Sequence, residues 1–287
     1  MRKAKDETTE PIRNMIVVSD PHIGCQMGLM HPGGAYLDSG SIVLPNRLQR
    51  QTWEWWRSFW DEWVPRVTRG EPYDVCINGD LMDGRHHNAT TQWSQNLSDQ
   101  SRHAEVLLRP IVDACKRLYV VRGTEAHSGP AGEEEEKLAK ALGAVPNEDG
   151  NYARFELWKR VGGPGGPLCH LLHHIGVTGR AHYESSAPQA ELMAEMTESG
   201  RAGEAAPDFS IRSHRHRFIK TLNPSKRHEC AAIVTPGWQW KTPFIYKTAG
   251  GRVTEPQFGG ILIRQGDEEF YSRHWCMSAS RPRVEEG

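Results

Sequence analysis

Met15-Ile16-Val17-Val18-Ser19-Asp20-Pro21-His22 is the stretch on which a reading of this chain turns. Its first four residues are an unbroken apolar run, the pattern of a strand covered on both faces, and a carboxylate and an imidazole follow two positions apart. The design recurs twice. Tyr73-Asp-Val-Cys-Ile77 leads into Gly79-Asp80-Leu-Met-Asp83, and Leu118-Tyr-Val-Val121 leads into Gly123-Thr124-Glu125-Ala-His127. Two later clusters, His173-His174 and Ser213-His214-Arg-His216, also follow strand-like runs and complete a series of five. Placement beyond strand ends matters because open sheets bind ligands in the crevice at the carboxyl ends of their strands.

The segments between these clusters predict the layers. Trp53, Trp56, Trp60 and Trp63 recur at helical spacing with Trp55 and Phe59 beside them, so a helix with a broad aromatic face is expected. Packing against a sheet is the plain use of that face, and a base-stacking platform is the sharper one. Further helices are expected over Ser101–Lys116, Glu133–Leu142 and Ala187–Ser199. Glu133 to Glu136 suit the positive end of a helix dipole and read as a solvated helix start. Gly24 to Pro45, rich in glycine and polar residues, reads as a long loop above the strand ends.

Past Tyr152 the chain becomes strand-rich. Tyr152–Trp158 and Leu168–Leu172 form an expected hairpin joined by Gly162-Gly-Pro-Gly-Gly-Pro167. Phe209–Arg212, Ala231–Thr235, Gly260–Arg264 and Phe270–Trp275 supply further strands. The expected architecture is therefore α/β (α+β), two packed sheets with helices outside. Residues 1–12 read as a disordered lead-in, 13–278 as a single domain and 279–287 as a tail.

Composition excludes several classes. At 287 residues and 32.4 kDa, with net charge −1 and pI near 6.9, the chain is no strongly basic nucleic-acid module, although a local basic patch remains compatible. The six cysteines include no C-x-x-C pair, and reduced thiols in a cytoplasmic protein are expected. The charged N-terminus has no apolar signal region, and no run approaches the roughly 18 apolar residues of a membrane span. Oligomeric state is not legible.

Mixed carboxylates and imidazoles in this order suit two divalent metal ions over a phosphate ester. Such pairs, about 3.5 to 4 Å apart, clamp phosphate oxygens and activate water at neutral pH. Carboxylates offset the charge of two cations, and imidazoles favour manganese, iron, zinc or nickel over magnesium or calcium. If extended geometry persists past the strands, Asp20 and His22 face one pocket, as do His214 and His216.

With these five clusters the chain resembles the calcineurin-like metallophosphoesterase superfamily, whose pattern runs D-x-H, G-D-x-x-D, G-N-H-D/E, H and G-H-x-H; the likeness spans about Met15 to Phe218. The resemblance implies a two-sheet β-sandwich flanked by helices. It implies that Asp20, His22, Asp80 and His216 hold one metal, and that Asp80, a residue of the third motif, His173 or His174, and His214 hold the other, with Asp80 as bridge. Of the adjacent histidines His173 is favoured, since neighbours on a strand face opposite sides.

The third motif departs from the family pattern. Gly123-Thr124-Glu125-Ala126-His127 lacks the asparagine that ligates metal, and its histidine lies two positions late. Glu125 is expected to supply the missing oxygen, with Thr124 as the alternative, and His127 to act as the acid, oriented by Asp83. Arg85, Asn88 and Arg122 are candidate phosphate contacts, the arginines because guanidinium grips two oxygens. His86, His87, His103, His170 and His182 read as bystanders, although His86 or His87 follows the second motif closely enough to touch substrate.

The expected activity is hydrolysis of phosphate esters with two metal ions, manganese first. Nucleic acid, DNA or RNA, is the first substrate expectation, because the Gly24–Pro45 loop, the tryptophan helix and the basic segment Arg212–Arg217 could together accept a polyanion. The Gly-Thr-Glu-Ala-His variant also looks similar to phosphoesterases of phage and prophage contexts. A phosphomonoesterase is the near competitor, and a metal-stabilised binding module that has lost its acid is the competitor from another class.

Overall fold

The computed structural model describes residues 11–86, 88–176, 180–224, 228–248, 251–280 and 284–286. His87 and most of the expected lead-in lie outside these residues, as does part of the tail. Ile12, assigned to the lead-in by sequence, is buried, and its carbonyl accepts from the Gly162 N–H at 2.9 Å.

The chain opens with β1 (Asn14–Val18) and the short pair β2 (Ala35–Tyr36) and β3 (Ile42–Val43), which sits within the expected loop. Next come α1 (Arg47–Arg57), a π-helical stretch Ser58–Trp63, α2 (Val64–Val67), β4 (Tyr73–Asn78), α3 (Leu97–Ala114), β5 (Leu118–Val121), α4 (Glu125–Ser128) and α5 (Glu133–Leu142). The remainder is β6 (Ala153–Arg154), β7 (Glu156–Arg160), β8 (Leu168–Leu172), α6 (Ser186–Ala202), β9 (Phe209–Arg212), β10 (Ile219–Leu222), β11 (Ala231–Val234), β12 (Gln257–Gln265) and β13 (Phe270–Ser278).

Two mixed sheets carry the fold. The first has the order β13-β12-β1-β4-β5-β6, with β1, β4, β5 and β6 parallel. The second has the order β10-β11-β9-β8-β7, with β8, β9 and β11 parallel. Met15 and Val17 of β1 pack between the sheets, with Phe209, Ile211 and Ile233, while Ile16 and Val18 face the helices. Both faces of β1 are thus covered, which is why it reads as continuous apolar sequence.

The helical side holds the tryptophans. Trp56 and Trp63 are buried with Phe59, Trp238 and Phe258, while Trp53, Trp55, Trp60 and Trp240 pack against them partly exposed. The aromatic face is therefore core, not a stacking platform. α3 and α5 close the same side, and α6 covers the second sheet through Leu192 and Ala232.

The expected strand Tyr152–Trp158 is two strands in two sheets. Ala153–Arg154 joins the first sheet beside β5, Glu156–Arg160 pairs with β8 in the second, and the exposed Phe155 marks the crossing. Periodicity reports that a segment is extended and not which sheet receives it. The described cysteines are all free, five of them buried. No helix among the described residues is long and apolar enough to cross a membrane.

Candidate metal centre

Four clusters converge beyond the carboxyl ends of β1, β4, β8 and β9, and α4 brings the fifth. The extensions of β1 and β4 stay bonded to each other: Asp20 N–H donates to Gly79 O at 3.0 Å, His22 N–H to Asp80 O at 3.1 Å and Asp83 N–H to Ile23 O at 2.9 Å. This continued pairing holds Asp20 and His22 beside Asp80 and Asp83.

The backbone does not remain extended. Asp20, His22, Asp80, His214 and His216 all have left-handed φ, from 42° to 69°, and make up five of the seven non-glycine residues described with positive φ. L-residues pay a conformational penalty in that region, so such a concentration marks a functional cluster. The pairs Asp20/His22 and His214/His216 thus share a pocket through left-handed turns, where two-residue alternation was the expected reason.

Two glycines allow the close approach. A Cβ on Gly79, itself at φ +86°, would stand 2.3 Å from His173 Nδ1, and one on Gly123 would stand 2.0 Å from Asp80 Oδ1. Below the cluster runs a buried chain of hydroxyls and an amide: Ser19 Oγ to Thr235 Oγ1 at 2.8 Å, Thr235 Oγ1 to Ser213 Oγ at 2.7 Å, and Asn78 Nδ2 donating to Ser213 Oγ at 2.7 Å. It ties both sheets together under the site.

The ligand-type atoms are close. His216 Nε2 lies 3.2 Å from Asp20 Oδ1 and 3.1 Å from His22 Nε2. Asp80 Oδ2 lies 3.2 Å from His173 Nε2 and 3.9 Å from His22 Nε2. Asp20, His22 and His216 form one group able to hold an ion, Asp80, His173 and His214 another, and Asp80 also groups with His22 and His127. Asp20 Oδ1, His22 Nδ1 and His173 Nε2 are buried without hydrogen-bond partners. Buried polar atoms are normally paired, so Asp20 Oδ1 and His173 Nε2, 3.9 Å apart and facing His22 Nε2 and Asp80 respectively, fit a divalent cation, while His22 Nδ1 turns away toward Asp83.

The protonation preferences follow from crowding. Burial raises the carboxyls of Asp20 and Asp80, and the surrounding imidazoles, His216 and His173 foremost, outweigh it and hold both below the usual range. Burial lowers His173, but Asp80 and Asp20 push it up to about 10. Burial, with His173 beside it, pushes His214 down to about 4, and His22 is likewise lowered. A cation bound here would take the place of the proton that His173 holds between two carboxylates. His173 Nδ1 faces Asn78 O at 2.7 Å, and because a carbonyl only accepts, Nδ1 carries the hydrogen and Nε2 is the ligand atom.

His127 is placed by the same device. Its Nδ1 lies 2.6 Å from the backbone oxygen of Asp83, so Nδ1 is protonated and Nε2 is the exchangeable nitrogen. The Asp83 carboxylate does a different job from the expected one. It accepts from Gln92 Nε2 at 2.6 Å and Gln239 Nε2 at 3.3 Å and lies 3.4 Å from His22 Nδ1, so it orients His22 more closely than His127, whose Nδ1 is 3.9 Å away.

Some expected site residues stand apart. Glu125 is exposed at the start of α4 and belongs to none of the ligand groups; Thr124 faces Asp80 instead, its N–H donating to Oδ1 at 2.7 Å and its hydroxyl at 3.2 Å. The helical turn of α4 directs the carboxylate outward. His174, past the end of β8, is exposed, with its ring 4.8 Å from that of His214. Arg122 spends its donors on Ala153 O and Ala131 O, at 2.8 and 3.0 Å, and lies over the Phe155 ring, so it braces the α4–α5 connection. Arg85 lines a separate cavity with Glu134 and Lys137, and Asn88 is exposed outside the site cavity.

The remaining histidines divide. His86 lies 3.4 Å from Asp83 Oδ2, with its ring 4.4 Å from that of His127, and lines the site cavity. His103 and His170 are buried elsewhere, His170 between Glu195 and Glu156.

Sequence reasoning also missed Glu135. It is fully buried, accepts from Leu81 N–H at 2.9 Å and Gly123 N–H at 2.6 Å, and so joins the second and third motifs; burial, with the charge of Asp80, raises it to about 7. The solvated reading of the four glutamates fails here. Its spacing to Leu138, Ala139 and Leu142 places it on the apolar face of α5, a signal that was present. Gln92 and Gln239 carry no comparable signal.

No protein-family profile matches the chain, and no curated protein matches it. Among solved structures it is similar to Vacuolar Protein Sorting 29 from Cryptosporidium parvum, at 11% identity and TM-score 0.36 over 94% of this chain and 100% of that one. It is similar to a predicted phosphoesterase from Streptococcus pneumoniae, at 12% and 0.35 over 92% and 98%, and to a metallophosphoesterase from Sphaerobacter thermophilus, at 9% and 0.39 over 94% and 89%.

Proposed function

We propose that this chain is a metal-dependent phosphoesterase with a dinuclear centre. The observation that carries the reading is the convergence of Asp20 Oδ1, His22 Nε2, Asp80 Oδ2, His173 Nε2 and His216 Nε2, with neighbouring atoms 3.1 to 3.9 Å apart and the buried Asp20 Oδ1 and His173 Nε2 without hydrogen-bond partners. Asp20, His22 and His216 would hold one ion and Asp80, His173 and His214 the other, with Asp80 within reach of both. Divalent ions there supply positive charge for phosphate oxygens and lower the pKa of water.

The chain's own groups do the rest. Asp83, held by Gln92 and Gln239, sets the ring of His22, and its carbonyl fixes the tautomer of His127. His127 Nε2 is the nitrogen that delivers a proton to the leaving oxygen. Thr124 binds Asp80 where the family motif places an asparagine.

Metal analysis of the purified protein, with manganese-dependent hydrolysis of bis-p-nitrophenyl phosphate and p-nitrophenyl phosphate, tests the reading. Two ions per chain and turnover lost in Asp80→Asn support it. Absence of metal and of turnover would leave a binding module in its place.

A further inference from the structure

The cavity that opens on the cluster has a volume of about 470 Å³ and is lined by His22, Asp80 and His127 and also by Trp240, Phe244 and Ile245. Trp240 is rigid. Its Nε1 donates to Thr52 Oγ1 at 2.8 Å and Leu48 O at 3.2 Å, and its ring lies 5.5 Å from Trp55 and 4.9 Å from Phe258. Phe244, lining the same cavity, is 55% exposed. An aromatic residue left half in water beside a highly polar centre is the kind of surface that receives an apolar group.

The cations lining this cavity have partners within the chain. Arg215 donates to Glu184 O at 2.8 Å; Arg217 pairs with Glu184 at 3.0 Å and donates to Glu255 O at 3.0 Å; Lys241 pairs with Glu255 at 3.0 Å. Arg212 is buried against Glu191 and Glu195, away from the cavity. Polyanions bind through cations that exchange bound counterions for phosphates. Here a phosphate at Arg217 or Lys241 would displace an internal ion pair and face Glu184 or Glu255, and one at Arg215 would displace its bonds to the carbonyls of Glu184 and Gly176. The basic segment expected to grip a nucleic-acid backbone is thus largely spent on the fold.

Resting on the phosphoesterase reading, we infer that the substrate is an ester with a single phosphate, placed at the metals, and one apolar ring-shaped organic group, placed against Trp240, Phe244 and Ile245. Specificity resides in those three side chains.

Benzylphosphonate and methylphosphonate carry the same acid on different bodies, and calorimetry on manganese-loaded protein compares them without turnover. Tighter binding of benzylphosphonate by about tenfold or more is expected from burial of one ring, with most of the preference lost in Phe244→Ala. Benzyl phosphate should likewise be hydrolysed with higher kcat/KM than glycerol 3-phosphate, an ester with a comparably poor leaving group, and a single-stranded pentathymidylate should not compete. Equal binding of the two phosphonates, an unchanged preference in Phe244→Ala, or stronger binding of pentathymidylate would overturn the inference while leaving a phosphoesterase. No binding of either phosphonate together with no turnover of either ester would instead overturn the reading beneath it.

Discussion

Between the first sheet and the helix formed by α1 and its π-helical continuation, Trp56, Phe59, Trp63 and Trp238 are buried on right-handed or extended backbone, with Trp56 meeting Trp238 edge to face at 4.7 Å. At the carboxyl ends of the same sheet Asp20, His22 and Asp80 are equally buried, on left-handed backbone and with carboxylates and imidazoles crowded against one another. The first region gains free energy with every ring it covers, whereas the second holds conformations and charges that are unfavourable unless a cation offsets them. Stability and chemistry are therefore separable in this molecule, and substitutions should affect one without the other.

The sharpest separation comes from Asp80→Asn. Losing the shared carboxylate should lower phosphoesterase turnover by about ten thousandfold, about 5 kcal/mol, and abolish the rise in Tm that manganese produces, while the metal-free Tm stays within a few degrees of wild type. Phe59→Ala should do the reverse, lowering stability by about 4 kcal/mol in urea titration yet keeping the manganese-induced rise. A Phe59→Ala protein that no longer responds to manganese would show that the two regions are not independent.

Within the site, His127→Ala should reduce kcat by about a hundredfold with metal content unchanged, as measured by steady-state kinetics and metal analysis. Equal activity in the variant would remove His127 from the acid role.

A pH test isolates His103, buried outside the cluster, when wild type is compared with a His103 variant. Burial pushes His103 down to about 4, and its Nε2 accepts from the His31 N–H at 3.2 Å. The folded state thus binds fewer protons than the unfolded one, whose histidine titrates near 6.5. Stability from this group is present above about pH 6.5 and is lost as pH falls toward 4, by roughly 3 kcal/mol. The loss should be visible in metal-free protein and smaller in His103→Gln. Smallest of all, Arg85→Ala should change kcat/KM for a small phosphate ester less than about twofold, since Arg85 lines another cavity.

Much of the fold was legible because burial on both faces leaves a mark in one dimension. The apolar runs of β1, β4 and β5, the helix of α5 and the spacing of the tryptophans all correspond to structure. The site was legible where a residue type is rare in a strand end, as with Asp20, His22, Asp80, His214 and His216. It was misread where direction depends on the local turn. Glu125 points out of the cluster because α4 begins there, and Glu135 points inward because its helix face does.

The sequence by itself determined which residues could bind cations and that they follow strands, since ligand chemistry belongs to side chains and strand patterns to their neighbours. Only the tertiary structure decided which of them meet. Left-handed turns at Asp20, His22, Asp80, His214 and His216 bring together atoms that extended chains would spread apart, and Glu184 and Glu255 neutralise cations that the sequence leaves formally free. Pairing of charges and rotation of backbone are contacts between distant segments, and those distances exist only once the two sheets have closed on one another.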